Sequence, residues 1–197
     1  MLITHMLRPA FALALPFDKY LATATKVQRP AWDEFMTKVA LTHAQTELVR
    51  TFHRRINVLV ISGTWCGDCV QQCPILHRIA EARPHNLDPA AGGIELRFLD
   101  RDKQPEIQDA FQICGGRRIP VAIFMNEDFD FVSMHGDRTL SRYRAMAAAK
   151  LGASCPVPGA PVPSDEVAAT TADWLNEFER VALLLRLSHK LRAKHGD

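Results

Sequence analysis

The stretch Ile56-Asn57-Val58-Leu59-Val60-Ile61-Ser62-Gly63-Thr64-Trp65-Cys66-Gly67-Asp68-Cys69 decides how this chain folds. Its first six residues are apolar almost without a break and rich in β-branched side chains, the pattern of a strand buried on both faces of a largely parallel sheet. Ser62-Gly63-Thr64 ends the run. Beyond the cysteines, Ile75, Leu76, Ile79 and Ala80 recur at helical spacing until Arg83-Pro84 stops the element. A buried strand that hands over to a helix at Cys66 places that thiol beside the unpaired amides of a helix start, where a thiolate is stabilised. Cys66 is therefore the candidate nucleophile. The two-residue gap sets Cys69 one helical turn on, able to attack a mixed disulfide at Cys66 and release its other half.

Working outward, Ile94 to Leu99 alternates like a second strand, and Pro105 to Ile113 reads as a short helix stopped by Gly115-Gly116. Val121 to Phe124 and Phe129 to Met134, separated by Asn126-Glu127-Asp128, predict an antiparallel hairpin that Gly136 closes. A helix from Ser141 to Lys150 follows, so that a βαβ unit and a ββα unit share one sheet. Upstream, Phe35, Met36 and Val39 keep helical spacing, and Thr42 with Gln45 forms a capping box ahead of Leu48, Val49 and Phe52. One bent helix or two would satisfy that pattern. Downstream, Pro156, Pro158, Gly159, Pro161 and Pro163 mark a linker. After it, Trp174, Phe178, Val181, Leu185 and Ser188 trace one helical stripe with Arg186, Lys190, Arg192 and Lys194 in its last turns. The expected organisation is a mostly helical N-terminal extension over 1–55, a core over 56–152, a Pro-rich linker over 153–164 and a C-terminal helix over 165–197 packed on the core.

At 197 residues the chain accommodates one domain and an appendage. Its 47% hydrophobic content with only 10 Gly and 12 Pro is that of a globular protein. A formal net charge of +2 is too small to make phosphate binding an expected activity, so nucleic acid is excluded as a partner. The apolar stretch Met6–Phe17 is too short for a membrane span and carries Arg8, Pro9 and Pro16. Ala10 to Leu15, followed by Ala22-Thr23-Ala24, imitates a secretory leader, but a single basic residue precedes the run and Asp18 follows it closely; the cytoplasm is the expected location. Five cysteines are too few, and odd in number, for a disulfide scaffold.

Trp65-Cys66-Gly67-Asp68-Cys69, Cys73-Pro74-Ile75-Leu76 and Ile119-Pro120 before a strand together resemble the thioredoxin family, over roughly Arg55 to Lys150. The resemblance implies a thioredoxin-like α/β fold, a central mixed sheet flanked by helices. It also implies that Pro74 kinks the active-site helix and that Pro120 is cis opposite the dithiol. Ile119, Pro120 and Gly136 would then form the groove in which the backbone of Ile119 pairs with a substrate chain. The implied activity is protein-disulfide reduction by Cys66 and Cys69, supported by Trp65, Gly67 and Asp68. It needs no bound cofactor, acts on disulfide-containing protein substrates, and draws electrons from a thioredoxin reductase or a glutathione system.

Three departures from the family pattern carry expectations of their own. Asp68 stands where proline is usual, and a carboxylate there should oppose ionisation of Cys66 and move the couple to the reducing side, with Arg117 and Arg118 placed to offset it. Val60 occupies the position of the family's buried acid and Leu96 that of its accompanying lysine, so proton handling must differ. No first strand is evident before the early helices.

Other readings of the cysteines remain open at this stage. Cys66, Cys69 and Cys73 have spacing that a metal site uses, although Cys69 and Cys73 fall within one helix and no fourth ligand lies near; no metal is expected. Cys73 reads as a small buried hydrophobe, Cys114 as structural or open to glutathionylation, and Cys155 as an exposed linker residue. Trp65 reads as a shield on one side of the dithiol and His135 as a surface or hydrogen-bonded histidine. A redox-sensing or partner-binding module with little turnover would carry the same motif.

Overall fold

The computed structural model describes residues 2–84, 92–151 and 162–196. Most of the predicted linker, with Cys155, lies outside the described residues. Strand β1 (Arg55–Ser62) is the centre of a four-stranded sheet in the order β2-β1-β3-β4. It pairs in parallel with β2 (Gly93–Asp100) and antiparallel with β3 (Val121–Met125), which pairs antiparallel with β4 (Phe131–Gly136). Every residue of β1 from Ile56 onward is buried, which is why this strand shows no alternation in sequence. Between β1 and β2 runs α5 (Gly67–Ala82), the crossover that a parallel pair requires. This is the thioredoxin-like mixed sheet flanked by helices.

The hairpin β3–β4 begins its second strand two residues later than the sequence pattern predicts. Asn126 Oδ1 accepts the amides of Asp128 and Asp130 at 2.9 and 2.8 Å, and Phe129 adopts φ 67°, so the turn absorbs Phe129 and Asp130. Similarly, α6 (Pro105–Ala110) ends before the predicted Ile113. Phe111 turns into the core, and Cys114 and Gly115, at φ 51° and 69°, reverse the chain. Helix α7 (Leu140–Leu151) follows β4.

Ahead of β1 lie α1 (Leu2–Leu13), α2 (Phe17–Leu21), α3 (Arg29–Lys38) and α4 (His43–Arg50). The last two are separate because Val39 is extended and Thr42 caps α4 reciprocally with Gln45, at 3.2 and 2.9 Å. The apolar run that imitates a leader buries Ala10, Phe11 and Ala14 in the core. Where the family pattern has a first strand, Leu15 alone pairs with Phe98 on the outer edge of β2, through bonds of 2.9 and 2.7 Å. Pro16, with no N–H, cannot extend that pairing as a donor. Phe17, Tyr20, Trp32 and Phe98 then form one aromatic cluster over β2, each full burial contributing about 1.5–3 kcal/mol.

The C-terminal segment is two helices rather than one. In α8 (Glu166–Leu187), Trp174, Phe178, Val181 and Leu185 are buried as the stripe predicts, and Phe178 meets Phe124 of β3 edge-on at 5.1 Å. Ser188 breaks the helix in an extended conformation and its hydroxyl caps α9 (His189–His195), accepting from the amide of Leu191. Re-aiming the chain there buries Leu191. Among the described residues, no helix is long and apolar enough to cross a membrane.

Candidate functional site

The turn between β1 and α5 is fixed from outside the sheet. Trp32 of α3, itself buried, donates its indole N–H to the carbonyl of Thr64 at 2.8 Å, and the amide of Cys66 closes on Gly63 at 3.0 Å. Cys66 is the residue that caps α5, with extended backbone and a half-buried side chain, whereas Cys69, one turn on, is fully buried. The Cys66 thiol donates a long hydrogen bond to the carbonyl oxygen of Ile119, Sγ to O 3.8 Å. The peptide bond from Ile119 to Pro120 is cis. Gly136, at the end of β4 with φ 150°, backs this loop: a Cβ there would stand 2.3 Å from the carbonyl oxygen of Pro120. The helix start, the loop before β3 and the end of β4 therefore converge near Cys66, and Ile119, Pro120 and Gly136 lie together. Trp65, 51% exposed, covers one side with the guanidinium of Arg101 stacked 4.7 Å from its ring centre.

The two thiols lie close together, within hydrogen-bonding reach. That mutual hydrogen bond, and partial burial, push the Cys66 thiol well up, against the opposing pull of the Cys69 and Asp68 amides. Burial pushes Cys69 up as well. The low-pKa thiolate expected at a helix mouth is thus not the resting state: the amides are present, but a neighbouring thiol and the loss of water outweigh them.

Residues 14–150 match the thioredoxin family. The chain belongs to it. Because the match begins at residue 14, helices α2, α3 and α4 fall inside the family region, further upstream than the motifs alone indicate, and α1 falls outside it. Two crystal structures share the fold. A Pseudomonas aeruginosa protein of unknown function is 20% identical with a TM-score of 0.64, covering 87% of this chain and 95% of its own. An HIV epitope scaffold is 18% identical with a TM-score of 0.59, covering 87% and 97% respectively. No curated relative matches the chain.

Within this thioredoxin-family site, Asp68 does not act on Cys66 as its sequence position suggests. Its carboxylate is clasped by Arg138 and by Arg142, the latter at 2.8 Å, and Arg142 also reaches Glu166 of α8 at 2.7 Å. What Asp68 offers the sulfur is its backbone amide. Arg117 and Arg118 are also spent elsewhere: Arg117 makes a two-pronged contact with Asp109, both distances 2.7 Å, and Arg118 pairs with Asp137 at 3.3 Å. Asp137 is 4% exposed and accepts from Tyr143, Arg138 and Arg118; although burial opposes it, these donors hold its carboxyl below the usual range. Gln72 of α5 donates to the Asp137 carbonyl at 2.8 Å, tying the active-site helix to the end of β4.

Arg138, Arg142, Asp137 and Tyr143 escape sequence reasoning because no local spacing links them to the cysteines, the one available hint being a charged run directly after Gly136; Gln72 lies in the cysteine helix itself, but its partner Asp137 is 65 positions away. Val60 is fully buried between Phe98 and Ala122, so the floor of the site is apolar where the family places an acid. Beneath Cys69, however, Cys73 is buried 3.5 Å from the hydroxyl of Ser62, which accepts from the hydroxyl of Tyr20 at 3.0 Å. Cys114 is exposed on its loop. His135 is half-buried, edge-on to Trp174 at 4.8 Å, and burial lowers its pKa. Among the described residues, no group of three or more His, Cys, Asp or Glu side chains is placed to hold a metal ion.

Proposed function

We propose that this chain is a thiol–disulfide oxidoreductase that reduces disulfides in other proteins through Cys66 and Cys69. The observation that carries the reading is the half-buried Cys66 sulfur at a helix start, beside the Ile119 carbonyl and in front of a buried second thiol. The pair shares its protons, so its first ionisation belongs to both groups. Cys66 is the attacking member of the pair because its sulfur is half-exposed and faces two amides, whereas Cys69 is fully buried.

Cys66 as thiolate attacks one sulfur of a substrate disulfide; a Cys66–substrate bond forms and the other substrate sulfur leaves and takes a proton. Cys69 then attacks Cys66, the Cys66–substrate bond breaks, and the second substrate thiol departs. Two electrons pass to the substrate, and the chain is left with a Cys66–Cys69 disulfide. Ile119, next to the attacked sulfur, offers backbone to an extended substrate segment beside Pro120, and Trp65 limits approach from one side. Thiols that hold their protons make poor leaving groups, so the Cys66–Cys69 disulfide is the harder one to reduce and the dithiol favours donating electrons. A thioredoxin reductase or a glutathione system would return it to the dithiol, in the reducing setting of the cytoplasm. Reduction of insulin disulfides with dithiothreitol as donor tests the reading: turnover should exceed that of dithiothreitol alone and vanish in Cys66→Ser.

A further inference from the structure

The apolar Val60 leaves the resolving thiol without a buried acid, yet polar groups reach it from another direction. Tyr20 comes from α2, Ser62 is the last residue of β1, and Cys73 lies one turn beyond Cys69 on α5; all three side chains are buried. The Tyr20 hydroxyl donates to Ser62 Oγ at 3.0 Å, and Ser62 Oγ stands 3.5 Å from Cys73 Sγ. The sulfur of Cys69 interacts with both the Ser62 and the Cys73 side chains. A serine hydroxyl carries one proton. Since the Tyr20 hydroxyl donates to Ser62, the Ser62 proton is free to be donated in turn to a neighbouring sulfur.

The tyrosine is held for this purpose. Its ring stacks on Phe98 at 5.3 Å and meets Trp32 edge-on at 6.1 Å. Burial keeps the phenol protonated, so Tyr20 serves as a donor and not as a base.

We propose that Tyr20 and Ser62 are positioning residues that hold the Cys69 sulfur and stabilise it as a thiolate while it displaces substrate from Cys66. This rests on the exchange reading above. In that step Cys69 gives up its proton, the Cys69–Cys66 bond forms, the Cys66–substrate bond breaks, and the electron pair leaves on the substrate sulfur, which takes up a proton. Negative charge on Cys69 draws the Ser62 hydroxyl onto it, and the Tyr20 hydroxyl behind polarises that bond further. Once Cys69 is a neutral disulfide sulfur the attraction lapses, so the contact favours the reacting state over the resting one.

The test is single-turnover reaction with a fluorophore-labelled peptide disulfide, which separates formation of the mixed disulfide at Cys66 from its release. In both Tyr20→Phe and Ser62→Ala, formation should keep the parental rate. Release should slow about tenfold, the kinetic size of one lost hydrogen bond to an anion, with its pH midpoint moved upward. Release at the parental rate and midpoint in both variants would overturn the proposal, as would equal slowing of both steps with the midpoint unmoved, the signature of a general structural defect. A parent chain that forms no mixed disulfide at Cys66 would remove the exchange reading itself, and this proposal with it.

Discussion

The sulfur of Cys66 lies 3.8 Å from the carbonyl oxygen of Ile119, so the attacking atom and the backbone edge that would receive a substrate chain are neighbours. Under the proposed function, attack and docking happen at one place, and a chain bound along Ile119 would present its disulfide to Cys66 first. Cys69, fully buried behind, would on that reading react only with what Cys66 has already captured. Cys69→Ser should accumulate covalent adducts with protein disulfides, seen as new bands on a non-reducing gel that dithiothreitol removes. Cys66→Ser should give none.

The raised thiols set the pH dependence. The mutual hydrogen bond and burial raise Cys66 above an ordinary cysteine, and burial raises Cys69. In the unfolded chain both would ionise near the ordinary value of about 8.5. Because the folded pKa values are the higher ones, the protonated pair's contribution to stability is fully present below about pH 8.5 and is lost as pH rises toward the folded values. Urea unfolding of the reduced chain should accordingly show a midpoint that is flat from neutral to mildly alkaline pH and falls beyond it. The fall should be smaller in Cys66→Ser. Exchange rate should still be climbing at pH 9.

The parts of this site that the sequence makes legible are those built from neighbours in the chain. A six-residue apolar run followed by two cysteines at helical spacing fixes β1, α5 and the dithiol, and the Thr42–Gln45 capping box locates α4 because both partners lie within one turn. The rest depends on distant pairs. Arg138 and Arg142 reach Asp68 across 70 and 74 positions, so the charge on Asp68 reads as free in sequence and is paired in the fold. Tyr20 meets Ser62 across 42 positions, from the short helix α2 that follows the leader-like apolar run. Ser188 illustrates the local limit: the hydrophobic stripe runs through it undisturbed, and only its extended backbone and capping hydroxyl show two helices.

Gly136 is a sensitive position. A methyl group there would sit 2.3 Å from the carbonyl oxygen of Pro120, and the φ of 150° is one that side chains other than glycine's avoid. Since the contact is with backbone, no side-chain rotation relieves it. Gly136→Ala should cost about 2 kcal/mol or more in urea unfolding and should lower insulin reduction further than loss of folded protein explains, because the Ile119–Pro120 loop must move.

The Asp68 carboxylate separates two accounts of the residue between the cysteines. If its charge faced Cys66, removing it would lower the thiol's pKa; if the charge is consumed by Arg138 and Arg142, removing it should disturb the scaffold and leave the sulfur alone. The geometry supports the second, since both guanidinium groups contact the carboxylate and are only 23% and 11% exposed. Each arginine keeps another partner, Asp137 and Glu166 respectively, so the loss is partial. Asp68→Asn should therefore destabilise the chain by about 1–2 kcal/mol, less than a fully buried pair because solvent screens part of it. The same variant should leave the pH midpoint of the ultraviolet thiolate absorbance of Cys66 where the parent has it. A clear downward move of that midpoint would return the charge of Asp68 to the sulfur and reverse the assignment.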